Sequence, residues 1–197
     1  MNYYRIFSKI YRGAARHMCL ACQPYIKKGS KILDLGCGSA IIGKTFQDFF
    51  KAEILGIDIV DKRVEKIPFQ IYDGKNIPFP ENSFDVVLIN YVLHHSEDPI
   101  TLLKEAKRVT KEKIVIFEDL PEGFLSKLIC KIHGNSFSLF QKGVGGGWRP
   151  SKTSFKTEKN WEKIFRDLGL NVIFKERRHN FPVKKELFIL ESPVVEK

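Results

Sequence analysis

The chain has 197 residues, 43% of them hydrophobic, 28% charged and 12% aromatic, a balance that fits one globular domain over 1–197 and excludes a disordered or fibrous protein. No apolar run reaches the roughly 18 residues of a membrane-spanning helix, and the N-terminus lacks the apolar block and cleavage site of a secretory signal. Four scattered cysteines, Cys19, Cys22, Cys37 and Cys130, exclude a disulfide-stapled fold and suggest a cytoplasmic protein with reduced thiols. The net charge of +10 sits on the flanks: residues 1–30 hold six basic and no acidic side chains, and residues 142–185 hold 12 basic against four acidic. Such flanks suit an anionic partner, a membrane surface or a nucleic acid, and are equally the mark of a soluble, Lys-rich surface.

In chain order, residues 1–24 predict an amphipathic helix ended near Pro24. Arg5, Lys9, Arg12 and Arg16 form one stripe, opposite Ile6, Phe7, Ile10, Ala14 and Met18. Lys31–Leu35 (KILDL) reads as a buried strand, Gly36–Ala40 as a loop and Ile41–Phe50 as a helix. Glu53–Ile59 (EILGIDI) is a second strand and Phe69–Tyr72 a short third. Asp73–Ser83 is turn-rich, and Asp85–Asn90 (DVVLIN) is a strand apolar enough to be covered on both faces. A helix over Asp98–Thr110 leads to the strand Lys113–Phe117 (KIVIF). A helix at about 123–133 precedes an irregular stretch, 134–157, with the glycine run 143–147. The helix Glu158–Leu168 is followed by strands near Asn171–Lys175 and Glu186–Leu190. Strands alternating with helices imply a doubly wound α/β fold with a mostly parallel sheet.

The chemistry gathers at ILDLGCGSA followed by GIDIV. Asp34 ends the first strand, Gly36 and Gly38 turn the chain, and Asp58 ends the second strand. Glycine is needed where backbone meets a ligand without an intervening Cβ, and an acid at the second strand suits the hydroxyls of a ribose. A dinucleotide fingerprint requires a third glycine where Ile41 stands, and a pyrophosphate would lie against Asp34. A phosphate-free nucleoside with a cationic end fits better.

Here the chain resembles the class I S-adenosylmethionine-dependent methyltransferases, especially their small-molecule branch. ILDLGCGSA and GIDIV look like the first two motifs, and DGKNIPFPENSFDVVLINYVLHHSEDP resembles the third-to-fourth strand region. LLKEAKRVTKEKIVIFE is similar to the helix and fifth strand that follow, and WEKIFRDLGL to the last helix and turn. The resemblance implies a seven-stranded sheet of order 3-2-1-4-5-7-6 with strand 7 antiparallel. Only about ten residues separate Asp58 from the third strand, so the crossover after strand 2 is expected to be shortened. By the same resemblance Asp34, Gly36 and Gly38 line the methionine moiety, and Asp58 holds the ribose. Asp73 and Gly74 meet the adenine, and Asn90 lies beside the methionine amino group. S-adenosylhomocysteine is the expected product.

Past the fourth strand, Tyr91, His94 and His95 are candidates to deprotonate an acceptor, His95 ahead of His94; either histidine could instead pack beneath the site. Asn90-Tyr91-Val92-Leu93 is not the Asn/Asp-Pro-Pro-aromatic clamp that grips an amide or exocyclic amine. No metal site is expected: Cys19-x-x-Cys22 lacks a second ligand pair and fits the packed face of a helix. The reading is methyl transfer to a small-molecule or lipid-like acceptor. An RNA or protein methyltransferase, or a non-catalytic partner of the same fold, are the alternatives. The N-terminal helix and 134–157 are the segments able to cover the acceptor, and a membrane-peripheral location is consistent with both.

Overall fold

A computed structural model describes residues 3–130, 132, 155–178 and 183–191. The expected loop 134–157 lies outside the described residues except for 155–157, as do His133 and His179.

Seven strands form one sheet: β1 (Lys31–Leu35), β2 (Glu53–Asp58), β3 (Phe69–Ile71), β4 (Phe84–Asn90), β5 (Thr110–Leu120), β6 (Asn171–Arg178) and β7 (Lys184–Glu191). Their order is β3-β2-β1-β4-β5-β7-β6, parallel except for β7, which runs antiparallel to both neighbours. This is the order implied by the resemblance. The side chains of β1 show why the sheet has two cores. Leu33 and Leu35 join the cluster holding Leu102, Leu103, Trp161 and Phe165, from α4 (Pro99–Val109) and α6 (Glu158–Asp167). Ile32, one residue out of phase, joins Cys19, Cys22, Phe46 and Phe50, from α2 (Ser8–Cys22) and α3 (Ile41–Phe50). Alternation along a strand thus divides the helices between the two faces.

The helix starts obey local chemistry. Asp98 caps α4 by accepting from the amides of Ile100 and Thr101, both at 3.0 Å, with Pro99 in the first turn. Between β2 and β3 the chain makes no helix, in keeping with the shortened crossover expected there. Val64 N–H instead donates to Ser39 C=O (2.9 Å), tying this connection to the glycine loop.

Three expectations are corrected. The N-terminal helix is two pieces, α1 (Tyr3–Ile6) and α2, broken at Phe7. Its buried face is Ala15, Met18, Cys19 and Cys22, whereas Ile6, Phe7, Ile10 and Ala14 are exposed. The small side chains let α2 lie close against α3 and the sheet, so size rather than hydropathy chose the packed face. Lastly, β5 runs beyond KIVIF at both ends, because Thr110 pairs with Phe84 of β4 and pairing with β7 extends through Leu120 opposite Lys184. The helix expected at about 123–133 is present as α5 (124–130), with 132 also helical.

Candidate active site

Strands β1, β2, β4 and β5 end on a cleft of about 940 Å³, whose wall includes Asp34, Asp58, Asn90 and Asp119. The glycine loop after β1 forms its inner corner. Gly36 and Cys37 donate to Ile57 C=O at 2.8 and 3.1 Å, which pins the loop onto β2. Gly36 has φ +70°, and a Cβ on it would collide with Val92. Gly38 has φ +50° and only open space where a side chain would be. The loop therefore turns where only glycine is easy and leaves its backbone open to a ligand. Ala40, the residue preceding α3, also takes a left-handed φ of +60°.

Asp34 is buried at the floor of this corner. Its Oδ2, and both amide atoms of Asn90, have no hydrogen-bond partner among the described residues. Burial, with the Asp58 charge next, pushes the Asp34 carboxyl up to about 7. An acid so poised awaits a cation. Sequence reasoning missed the residue that sets it there. Gly43, in the first turn of α3, lets the Asp34 carboxylate approach so closely that a Cβ would overlap Oδ2.

Asp58 accepts from Gly38 N–H at 2.8 Å through Oδ2 and from Ile59 N–H at 2.7 Å through Oδ1. It clamps the glycine loop while lining the cleft. Burial raises its pKa, opposed by those amides. Asp73 and Gly74 stand further along the same wall. Asp73 is exposed and caps its own turn, accepting from the amides of Lys75 and Asn76 and from the Asn76 side chain, each at 2.7 Å. Its pKa is lowered, chiefly by the Asn76 side chain.

The far side of the cleft is built by β4, β5 and β7. Tyr91 follows Asn90 with φ +58°, a conformation rare for a bulky residue and characteristic of functional turns. Its ring carries the Lys185 ammonium 4.3 Å from the centroid. Lys185 also donates to Asp119 at 2.6 Å, the two being register partners across β5 and β7. Nearby Tyr91 and Asp119 hold the Lys185 pKa up against partial burial, so it stays an ammonium. Neither Asp119 nor Lys185 was a sequence candidate, because nothing local marks an antiparallel pairing 66 residues apart.

The histidines have separate fates. His94 is 1% exposed, with Nδ1 2.6 Å from Glu118 Oε2 and its ring stacked on Phe155 at 4.4 Å. Glu118 also accepts from Leu93 N–H at 2.9 Å, so it locks the whole turn after β4. His95 is half-buried beside it, with ring centroids 4.0 Å apart, and faces the cleft. All four cysteines are buried, Cys19 and Cys22 on the packed face of α2.

Residues 33–117 match a protein family described as a methyltransferase domain. The chain is 33% identical over 106 residues to a methyltransferase of Schizosaccharomyces pombe, covering 44% of this chain and 38% of that protein. It is 33% identical over 115 residues to the sterol 24-C-methyltransferase of Aspergillus fumigatus, covering 51% and 30%. The matches thus span well under half of these relatives' own length. Among solved structures, the magnesium protoporphyrin IX methyltransferase of Synechocystis, with bound S-adenosylhomocysteine, superposes with a TM-score of 0.69. It is 14% identical, and the match covers 98% of this chain and 88% of that one.

Proposed function

We propose that the chain, whose residues 33–117 match a methyltransferase domain, is a class I S-adenosylmethionine-dependent methyltransferase and transfers a methyl group to a small-molecule or lipid-like acceptor. The observation that carries this is the buried Asp34 carboxylate beside Asn90 beneath an open glycine loop, with Asp34 Oδ2 and the Asn90 amide atoms lacking a hydrogen bond among the described residues. S-adenosylmethionine, when bound, supplies an activated methyl on a sulfonium and carries an ammonium at its methionine end. The Asp34 carboxylate would receive that ammonium, and the Asn90 amide has both a donor and an acceptor to offer beside it. Gly36 and Gly38 give the backbone access to the methionine moiety. Asp58 has lone pairs beyond those used by Gly38 and Ile59, and they suit ribose hydroxyls. Asp73 and Gly74 would border the adenine, with Asp73 the weaker contact because its carboxylate already serves its own turn.

On the far side, Tyr91, His95, Lys185 and Asp119 would surround the acceptor. In-line displacement needs no general acid, and holding acceptor and methyl in line contributes up to roughly 7–11 kcal/mol. His95 would accept the proton of an acidic acceptor, with His94 and Glu118 fixing its backbone. Lys185 would hold an acceptor oxygen as it loses that proton. The sterol and protoporphyrin named in two of the similar proteins favour a bulky, apolar acceptor.

Two measurements test this reading. Calorimetry with S-adenosylhomocysteine should show micromolar binding; uptake of a nicotinamide dinucleotide in its place would overturn it. Incubation of the protein with methyl-tritiated S-adenosylmethionine and a cell extract should move label into the organic phase. Label retained on RNA or protein would reassign the acceptor, and no label anywhere would favour a non-catalytic partner.

A further inference from the structure

Helices α1 and α2, which border the cleft, and helix α5 expose apolar side chains. On α1 and α2, Tyr4 and Tyr11 reach into the cleft and Ala15, Met18, Cys19 and Cys22 face the core. On their outer side Ile6 and Ile10 are 54% and 69% exposed, with Leu20 half-exposed further along. The cations Lys9 and Arg16 are exposed among them. Arg12 pairs with Glu65 and so fastens α2 to the connection between β2 and β3. No acidic side chain occurs in the first 30 residues.

Helix α5, which follows β5 beyond the cleft residue Asp119, also turns apolar side chains outward. Its inner side is fixed by Ser126, whose hydroxyl donates to Leu120 C=O, and by buried Cys130, which feels the charges of Asp119 and Lys185. Its outer side shows Phe124, 85% exposed, with Leu125, Leu128 and Ile132, and exposed Lys127 lies between them. Exposed apolar side chains in such groups mark an interaction surface. Apolar residues interleaved with Lys and Arg, and no acid, are the composition of helices that lie in a lipid headgroup layer. No helix among the described residues is long and apolar enough to cross a membrane.

We propose that the outer faces of α1–α2 and α5 seat the protein on an anionic lipid surface, with the cleft that α1 and α2 border open to amphiphiles held there. The delivery of an acceptor from the surface rests on the transfer reading above; the docking itself does not. A nucleic acid would meet the same cations but would gain nothing from Ile10 or Phe124. A second copy of this chain would carry the same positive charge and repel.

The test is sedimentation of the whole chain with sucrose-loaded vesicles of phosphatidylcholine alone, or with about a third phosphatidylglycerol. The anionic vesicles should raise the partition coefficient by about tenfold or more, and the rise should shrink with added salt. Ile6→Ser/Ile10→Ser/Phe124→Ser should cut the partition by about tenfold or more while Tm and S-adenosylhomocysteine affinity stay unchanged. Lys9→Glu/Arg16→Glu/Lys127→Glu should abolish the preference for anionic lipid. Equal recovery in the supernatant with both vesicles overturns the proposal, as does unaltered binding by the apolar triple variant. So does sedimentation velocity showing a dimer that the triple variant loses, or RNA retention without vesicle binding. Vesicle binding in a protein that ignores S-adenosylhomocysteine would sink the transfer reading and leave the docking. Cofactor binding without vesicle binding would do the reverse.

Discussion

The Cα of Gly43 faces the carboxylate of Asp34 so closely that a methyl group there would overlap Oδ2 and stand 3.3 Å from Ile54 Cδ1. The contact joins the first turn of α3 to the end of β1, and neither partner can retreat, because Asp34 is buried and Gly43 is held in a helix. Gly43→Ala should therefore cost about 1–3 kcal/mol through overpacking, despite alanine being the better helix former. It should also weaken S-adenosylhomocysteine binding, because the carboxylate is displaced. Gly13→Ala is the control. Gly13 lies in α2 with nothing within 4 Å of an added Cβ, so that change should raise stability by about 0.4–1 kcal/mol. Thermal melts and calorimetry on both variants decide the matter; a harmless Gly43→Ala would mean that the loop adjusts freely.

The raised pKa of Asp34 makes cofactor binding pH-dependent. With no ligand its carboxyl titrates at about 7, against an ordinary value near 3.8. Between those values the folded protein holds a proton that the unfolded chain releases. This group therefore favours the unliganded fold at low pH, loses that advantage as pH rises through 7, and imposes its full penalty above it. An ammonium ligand demands the ionised form. S-adenosylhomocysteine affinity should level off above pH 7 until the ligand's own amino group loses its proton, and fall by up to about tenfold per pH unit below pH 7, where up to one proton is released on binding. Calorimetry in buffers of different ionisation enthalpy reads that proton. Asn at position 34 removes the titration: Asp34→Asn should melt higher than the parent at pH 8 and bind far more weakly. A variant that binds normally would remove Asp34 from the methionine end.

What was legible follows the range of the signal. The turn Asp34-Leu35-Gly36-Cys37-Gly38 and the acid at position 58 are local, and each acts through its own backbone, so strand, loop and strand could be read with the sheet order that accompanies them. Gly43 was passed over because the reason for it is the carboxylate of a residue nine positions earlier, across a turn. Lys185 and Asp119 could not be read, since antiparallel pairing of β7 with β5 creates their contact. The N-terminal helix misled because its most hydrophobic stripe, Ile6 to Ile10, is turned outward, and close packing favoured the smaller Ala15, Cys19 and Cys22.

His94 and His95 are adjacent but should respond oppositely to substitution. His94 gives the buried Glu118 its ring partner, so His94→Ala leaves a core carboxylate short of a hydrogen bond. The expected cost is about 1–3 kcal/mol of stability or more, with transfer falling in proportion to folded protein. His95→Gln keeps the fold, because the ring is only half-buried. It should lower kcat by about 10²–10⁴-fold if the acceptor must lose a proton, with S-adenosylhomocysteine affinity unchanged. Melts and single-turnover transfer separate the two effects. If His95→Gln transfers at the parental rate, the acceptor arrives already ionised and Lys185 carries that side of the chemistry.

Asp58 has two tasks that substitution can separate. Its oxygens accept from Gly38 and Ile59, so they shape the loop, and they face the cleft, so they are available to a ribose. Loss of a hydrogen-bonded diol alone is worth about 1.5–3 kcal/mol of affinity. Asp58→Ala should exceed the upper value, because freeing Gly38 N–H also lets the loop relax, and Tm should fall with it. Asp58→Asn keeps one acceptor oxygen. If that oxygen faces Gly38, the loop survives, Tm changes little and only the diol contribution is lost. Titrating both variants with S-adenosylhomocysteine and with its 2′-deoxy analogue isolates the ribose contact. Parental Asp58 should discriminate the two ligands, and the alanine variant should not. Equal discrimination by parent and Asp58→Ala would leave Asp58 as a clamp on the glycine loop and nothing more.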